Sequence, residues 1–237
     1  MTTLIEYAAR GVVLPMDPTH YVKAVDRLRR GYISTFTKTF KVAFKREQRA
    51  LFKNVTDKTV EGAEWQIIAN VDRYYDFTFQ YEQLYGEVLP VLAEREFDRL
   101  QPSKTMGSGY DLKSDAAHVA AWERQALQFV ANDMGSMITA VEAFSHTVVV
   151  LHTRGIARLA IKNGWSVARF ATELKAQLDT LDFFRAIRIA RTEVMTAASM
   201  GTHTGAIDTG LKLIKTWLTV PGQGERHGED PIYAGLN

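Results

Sequence analysis

The sequence contains no cysteine, which excludes disulfides, thiolate nucleophiles and cysteine-ligated metal or iron–sulfur sites. It also lacks an apolar run of about eighteen residues, the length that a membrane-spanning helix needs. Its first residues, Met1-Thr-Thr-Leu-Ile-Glu6, do not show the basic and then apolar pattern of a secretion signal. We therefore expect a soluble protein that is not exported and that contacts no membrane.

Sequence motifs of several enzyme classes are also missing. There is no Gly-x-Ser-x-Gly elbow and no Walker lysine motif, and Gly107-Ser-Gly109 is not followed by the third glycine of a dinucleotide fingerprint. None of the six histidines is four residues from another, as a helical zinc site requires. We predict that the protein is not an enzyme and that it has no catalytic, cofactor-binding or metal-binding residues.

Apolar residues make up 46% of the chain, enough for a sizeable core in one large or two small domains. Asp17-Pro18 combines a capping side chain with a proline suited to the first turn of a helix. After it, apolar residues recur at threes and fours and predict one long amphipathic helix. They are Tyr21, Val25, Leu28, Tyr32, Phe36, Phe40, Ala43 and Leu51.

Basic residues occupy the opposite side of that predicted helix over about 40 Å. They are Lys23, Arg27, Arg30, Lys38, Lys41, Lys45 and Arg49. Residues 1–60 hold twelve Lys/Arg against five Asp/Glu, whereas residues 61–100 hold three against nine. The basic side is therefore either a solvated helix face or a binding surface for DNA, for an acidic partner or for the chain's own 61–100 segment.

Helical spacing resumes at Val60, but residues 75–82 alternate with the period of a half-buried strand. Because both flanks follow the helical period, we favour a helix there, and Pro90 is expected to bend it or to begin a new one. From Ala116 onward the spacing is helical again. Breaks are expected at Gly135, Gly155, Gly164, Asp179–Asp182 and Gly201, with Ser166 capping one helix and a strand at Thr216–Val220.

These patterns predict a mainly α fold of long helices, with a C-terminal helical domain and a short β-like tail. We expect an N-terminal arm and long-helix region at 1–100 and a helical domain at 116–237. Between them, residues 101–115 are rich in glycine and serine and predict a linker.

The segment from Phe184 to Gly201 carries arginines at every third position, Arg185, Arg188 and Arg191, beside an apolar helix face. Such a row is typical of a solvated charged edge, in which Arg191 pairs either locally with Glu193 or with an acidic group on a neighbouring segment. The order Arg185, Arg191-Thr192-Glu193, Gly201 and then Lys215 and Trp217 resembles the C-terminal domain of phage head morphogenesis proteins, the family of the bacteriophage Mu F minor head protein.

The resemblance covers about 130–237 and includes the stretch from Gly155 to Leu174, which is similar to the family's helix, glycine turn and second helix. It implies a structural protein of the virion head near the portal vertex, present in the host cytoplasm during assembly. Implied partners are the portal protein and the major capsid protein, with viral double-stranded DNA as a candidate ligand. The matching positions are then structural or interface residues: Arg185, Arg188, Arg191, Thr192, Glu193, Lys215 and Trp217.

Two alternatives to a head protein remain open. One is a helical DNA-binding protein that uses the basic helix face at residues 23–49. The other is an ADP-ribosyltransferase, because Arg10, Ser34-Thr35 and Glu94-x-Glu96 follow the order of that family's site residues. Against the enzyme, Phe36 replaces the third polar residue of the Ser-Thr-Ser element, and Ser34 lies in a helical pattern.

Overall fold

The computed structural model describes residues 2–7, 18–71, 77–100, 116–210 and 213–218. Within these residues the chain forms six helices and one short two-stranded ribbon, which confirms the mainly α prediction. The helices are α1 (Pro18–Leu51), α2 (Val60–Val71), α3 (Thr78–Leu100), α4 (Ala116–Asn132), α5 (Gly135–Lys162) and α6 (Val167–Asp208).

Helix α6 is the longest of the described helices, and it contributes residues to both hydrophobic clusters. Its 42 residues extend over about 63 Å, at 1.5 Å per residue. The N-terminal half packs on α2 and α5 through a cluster that includes Ile67, Ile156 and Phe170. The C-terminal half packs on α1 and α3 through a second cluster that includes Phe40 and Val194, and α4 joins this cluster by packing on α3. One helix therefore joins two separate parts of the core.

Helix α1 buries the face that its sequence predicts. Five of the eight apolar positions are buried and the other three, Tyr21, Leu28 and Tyr32, are half-buried. The Phe40 ring meets Tyr81 of α3 edge to face at 5.6 Å between centroids. This packing fixes the rotation of α1, so its basic residues are directed away from the core.

Helix α3 begins at Thr78, so the helix favoured at 75–82 is confirmed for residues 78–82 and is wrong for Phe77, which precedes the helix. Residues 75 and 76 lie outside the described residues. Pro90 lies within α3 and does not begin a new helix. Its missing N–H removes one helical hydrogen bond. Pro90 is buried, and packing of α3 against α6 compensates for that loss.

Several predicted helix boundaries are confirmed. α5 begins at Gly135, and Gly164 separates α5 from α6 with a φ of +62°, a left-handed conformation that favours glycine. Ser166 is the N-cap of α6, and its hydroxyl accepts a hydrogen bond from the Arg169 N–H at 3.3 Å.

The breaks predicted at Gly155, Asp179–Asp182 and Gly201 are wrong, since all three lie inside helices. Gly155 is exposed in α5, and a long helix tolerates the cost of about 1 kcal/mol relative to alanine. Around Asp179–Asp182, α6 runs uninterrupted from one core cluster to the other. Gly201 is buried where α6 approaches α3 most closely.

The two terminal strands are β1 (Thr2–Tyr7) and β2 (Leu213–Leu218), which pair antiparallel with Thr2 opposite Leu218. The predicted strand at Thr216–Val220 shares three residues with β2, and its last two residues lie outside the described residues. The β-like tail as a whole stays a prediction.

The linker predicted at 101–115 falls outside the described residues. The helices before and after it share one hydrophobic cluster, because α3 packs on both α4 and α6. The described parts of the 1–100 and 116–237 segments therefore form a common core.

Candidate functional site: the basic face of α1

The seven basic residues named for the predicted helix form one surface of α1, called here the basic face. Six of them are exposed and Lys41 is half-buried. The whole helix carries nine Lys/Arg and two acidic residues, a net charge of +7. The face runs for about 40 Å from Lys23 to Arg49, which is a suitable shape for an extended polyanion.

Two members of the basic face have partners within the chain. Arg30 pairs with Asp26 one turn earlier, and the Lys41 ammonium lies 3.8 Å from the centre of the Phe183 ring. In the described part of the chain, the other five form no ion pair with a carboxylate. An exposed pair such as Arg30–Asp26 contributes only about 0–1 kcal/mol. Most of the positive charge is therefore available to a partner.

The alternative that the basic face pairs with the acidic 61–100 segment is wrong for the described residues. Glu96, an acidic residue of that segment, is instead buried and bound to Tyr21 on another side of α1. Its carboxylate accepts a hydrogen bond from the Tyr21 hydroxyl and one of 2.9 Å from Arg99. Burial, and then the charge of Glu96, raise the pKa of Tyr21, so its hydroxyl stays protonated and donates.

The residues of the ADP-ribosyltransferase alternative are not brought together in the described structure. Glu96 is buried beside Tyr21, whereas Glu94 is exposed on α3. Ser34 and Thr35 are exposed in the middle of α1, and Arg10 lies outside the described residues. The described positions thus lack the shared cleft that this chemistry requires.

The family-matching residues of α6 divide into two groups. Arg188, Arg191 and Thr192 are exposed, as a solvated charged edge predicts. Arg185 and Glu193 are instead directed into the protein, so the solvated edge is wrong for Arg185 and the local Arg191–Glu193 pair is wrong. Residues two apart lie on different sides of a helix and do not face each other.

Arg185 joins three helices. Its guanidinium pairs with Asp182 at 3.0 Å, donates to the Ser145 hydroxyl of α5, and stacks over the Phe44 ring of α1 at 4.4 Å from its centre. Only 12% of the Arg185 side chain and 15% of the Asp182 side chain are exposed. Burial raises the pKa of Asp182 to about 6, although the charge of Arg185 opposes that shift.

Replacing Arg185 by leucine is expected to lower the free energy of unfolding by about 1–2 kcal/mol at pH 7.5, because the partly buried Asp182 carboxylate then loses its cation. The loss should shrink at pH 5, since protonated Asp182 no longer needs that cation. Urea unfolding at pH 7.5 and at pH 5 measures the loss in the free energy of unfolding. Arg188→Leu is the matched control on the exposed side, expected within about 0.5 kcal/mol of wild type; equal losses for both variants would contradict the assignment.

Glu193 is buried against α3 and accepts a hydrogen bond of 2.9 Å from the Tyr85 hydroxyl. Burial raises the pKa of Glu193, although the bond from Tyr85 opposes that shift. One turn before Tyr85, the buried Tyr81 hydroxyl has no hydrogen-bond partner among the described residues. Sequence reasoning missed this pair because its members are 108 residues apart.

The last two family-matching residues lie in β2, where Lys215 is opposite Ile5 and Trp217 is opposite Thr3.

Among the described residues, no group of three or more histidines, aspartates and glutamates is placed to hold a metal ion. In the same residues no single helix is long and apolar enough to cross a membrane; the bent pair of α4 and α5 meets that test only when its two helices are taken together.

Comparison of the chain with protein-family models, curated proteins and solved structures found no match.

Proposed function

We propose that this protein is a structural minor head component of a tailed bacteriophage. It lies inside the capsid near the portal vertex, binds the portal and major capsid proteins, and acts in head assembly and DNA packaging or delivery. The observation that carries the proposal is the family-like order of residues from Arg185 to Trp217. The position of that order supports it, since five of the seven residues lie on α6, the helix that joins both core clusters.

The exposed residues of that order are the ones available for protein contacts. Arg188, Arg191 and Thr192 lie on the outer side of α6, whereas Arg185 and Glu193 hold α6 to its neighbours. We propose the first three as contacts to the portal or capsid protein and the other two as structural residues. In this role the protein performs no chemical step and needs no cofactor.

The basic face of α1 supports direct contact with the packaged double-stranded DNA. Each phosphate that a cation neutralises releases counterions, and the logarithm of the affinity falls by about 0.9 per contact for each unit of log salt. With six exposed cations, the slope of log affinity against log salt concentration can therefore reach about −5. The same face favours a second candidate function, a helical DNA-binding protein with no role in a virion.

A capture experiment separates these two functions. The tagged chain is incubated with lysate from phage-infected cells at about 0.3 M salt, twice the physiological value, where phosphate contacts are already weakened. Bound proteins are identified by mass spectrometry. Retention of portal or capsid protein at this salt is expected. Recovery of nucleic acid alone, lost as salt rises, would contradict the head-protein proposal and favour the second function.

Reversing three charges of the basic face is expected to abolish most DNA binding. The variant combines Lys38→Glu, Lys45→Glu and Arg49→Glu; Lys41 is kept because its ammonium also contacts Phe183. The slope of log affinity against log salt should become less steep by about 3, one unit for each lost contact. Fluorescence anisotropy with a labelled duplex at several salt concentrations measures the change.

The control for this variant carries the same charge change elsewhere. Lys58→Glu, Arg124→Glu and Lys162→Glu replace exposed cations outside α1. Since each replacement removes two units of charge, both variants lower the formal net charge from +2 to −4. Equal losses of DNA binding in the two variants would show that net charge, and not the basic face, controls binding.

A further inference from the structure

Between residues 136 and 151 of α5, none of the exposed side chains that the structure describes is charged. The exposed residues there, called here the apolar face of α5, are Ser136, Met137, Ala140, Ala143, Phe144, Thr147 and Leu151. Three of them are large and apolar, with exposed fractions of 47% at Met137, 58% at Phe144 and 62% at Leu151. Charged side chains normally cover the solvent side of a surface helix, so this face has the composition of a contact surface.

The spacing of the apolar face is that of a helix packed lengthwise on another helix. Met137, Phe144 and Leu151 are seven residues apart, with the small residues Ala140 and Thr147 between them. This is the heptad pattern of a helix–helix seam. The opposite side of α5 already packs in the core through Val149 and Ile156. The seam therefore lies on the exposed side of α5.

We propose that the partner is a second copy of this chain, whose α5 packs antiparallel on the first about a twofold axis at Phe144. The charges at the two ends of the face select this arrangement. Exposed Asp133 precedes the face, and exposed Arg154 and Arg158 follow it. Glu64 of α2 also lies at this end: burial raises its pKa, the charges of both arginines oppose that shift, and Glu61 lies one turn before it. Both arginines are nonetheless exposed and accessible to a partner.

In the antiparallel arrangement, the charged residues at each end of the face lie beside residues of opposite charge. With Phe144 on the axis, Met137 of one copy lies beside Leu151 of the other. Asp133 then lies beside Arg154 and Arg158 of the second copy, and the same contact recurs at the other end by symmetry. In a parallel pair, Asp133 would lie beside Asp133 of the second copy, and Arg154 and Arg158 would lie beside the same arginines. Charge complementarity thus favours a second copy in one orientation.

The size of the apolar face determines the affinity that we expect for the dimer. Residues 136–151 extend over about 22 Å, roughly four helical turns. A helix pair of that length buries less than about 1,200 Å² in total, at the low end of specific interfaces, so we expect association in the micromolar range. Phe144 meets its own copy at the centre of the contact, the position where interface residues contribute most.

Sedimentation velocity of the full chain from about 1 to 200 µM tests the proposal. The wild-type mass is expected to rise with concentration toward about 53 kDa, twice the 26.7 kDa of one chain. Phe144→Glu places two carboxylates at the axis and should weaken association about a hundredfold. Phe79→Glu, at an equally exposed position of α3, should leave it unchanged. Circular dichroism confirms that both variants are folded.

A charge swap then tests the orientation. Asp133→Arg alone should weaken the dimer, and adding Arg154→Asp and Arg158→Asp to the same chain should restore it, because the opposite ends again attract. A wild-type chain that stays monomeric at every concentration would overturn the proposal. So would a dimer that Phe144→Glu leaves intact, or a triple variant that the swap does not restore.

Discussion

Replacing Gly201 and Gly205 together by alanine is expected to lower the free energy of unfolding by about 3 kcal/mol or more. Each substitution adds a single methyl group, and in an isolated helix it would stabilise the helix by about 1 kcal/mol. The expected loss arises because both glycines lie where α6 touches the backbone of α3. At this contact no side chain can move aside to make room.

The distances show which atoms the new methyl groups would meet. A Cβ at Gly205 would lie 2.7 Å from the carbonyl carbon of Ala93 and 2.8 Å from its Cα, and closer still to its carbonyl oxygen. At Gly201 the corresponding distances to Leu89 are both 3.1 Å, and its oxygen is again closer. To relieve these contacts α3 and α6 must separate, which opens the core between them.

Urea unfolding followed by circular dichroism measures this loss for the double variant and for each single variant, with Gly205→Ala expected to cost more than Gly201→Ala. Gly86→Ala is the matched control, since it lies inside α3 with no atom within 4 Å of the added Cβ. It should raise stability by about 0.5–1 kcal/mol. If the double variant also gained stability, the close contact between α3 and α6 would be refuted.

Features that depend on a single helix were predictable from the sequence. The apolar face of α1 follows from its own period, and the Ser166 cap and the Gly164 turn follow from local backbone chemistry. The basic residues recur with the same helical period on the opposite side of α1. The residues of the basic face were therefore predictable, and so was the exposure of all of them except Lys41, which is half-buried.

Features that depend on contacts distant in sequence were not predictable. Read locally, Gly201 is a helix stop, but next to the α3 backbone it is the only residue that fits. Its spacing of four from Gly205, which places both on one side of a helix, was the available signal. Arg185 was expected in solvent because nothing near it in sequence shows that Phe44 and Ser145 would surround it.

The second large effect concerns the buried Tyr85–Glu193 pair. Tyr85→Phe is expected to lower the free energy of unfolding by about 2 kcal/mol at pH 7.5, because a buried carboxylate then loses its donor. Burial, and then the charge of Glu193, raise the pKa of Tyr85, so the hydroxyl stays protonated and donates. Tyr81→Phe is the control at a buried hydroxyl without a partner among the described residues, and it should cost little or stabilise. Similar losses for the two variants would contradict the role of the hydrogen bond.

Glu193→Gln separates the charge of the carboxylate from its hydrogen bond. The pKa of Glu193 is raised in the folded state, so folding favours the protonated form and wild-type stability falls as the pH rises from the unfolded pKa to the folded one. Glutamine is neutral and still accepts from Tyr85. The stability of the variant relative to wild type should therefore increase over that pH range and level off above it. Urea unfolding of both proteins between pH 4 and 8 measures the difference, and a difference independent of pH would show that Glu193 folds without a shifted pKa.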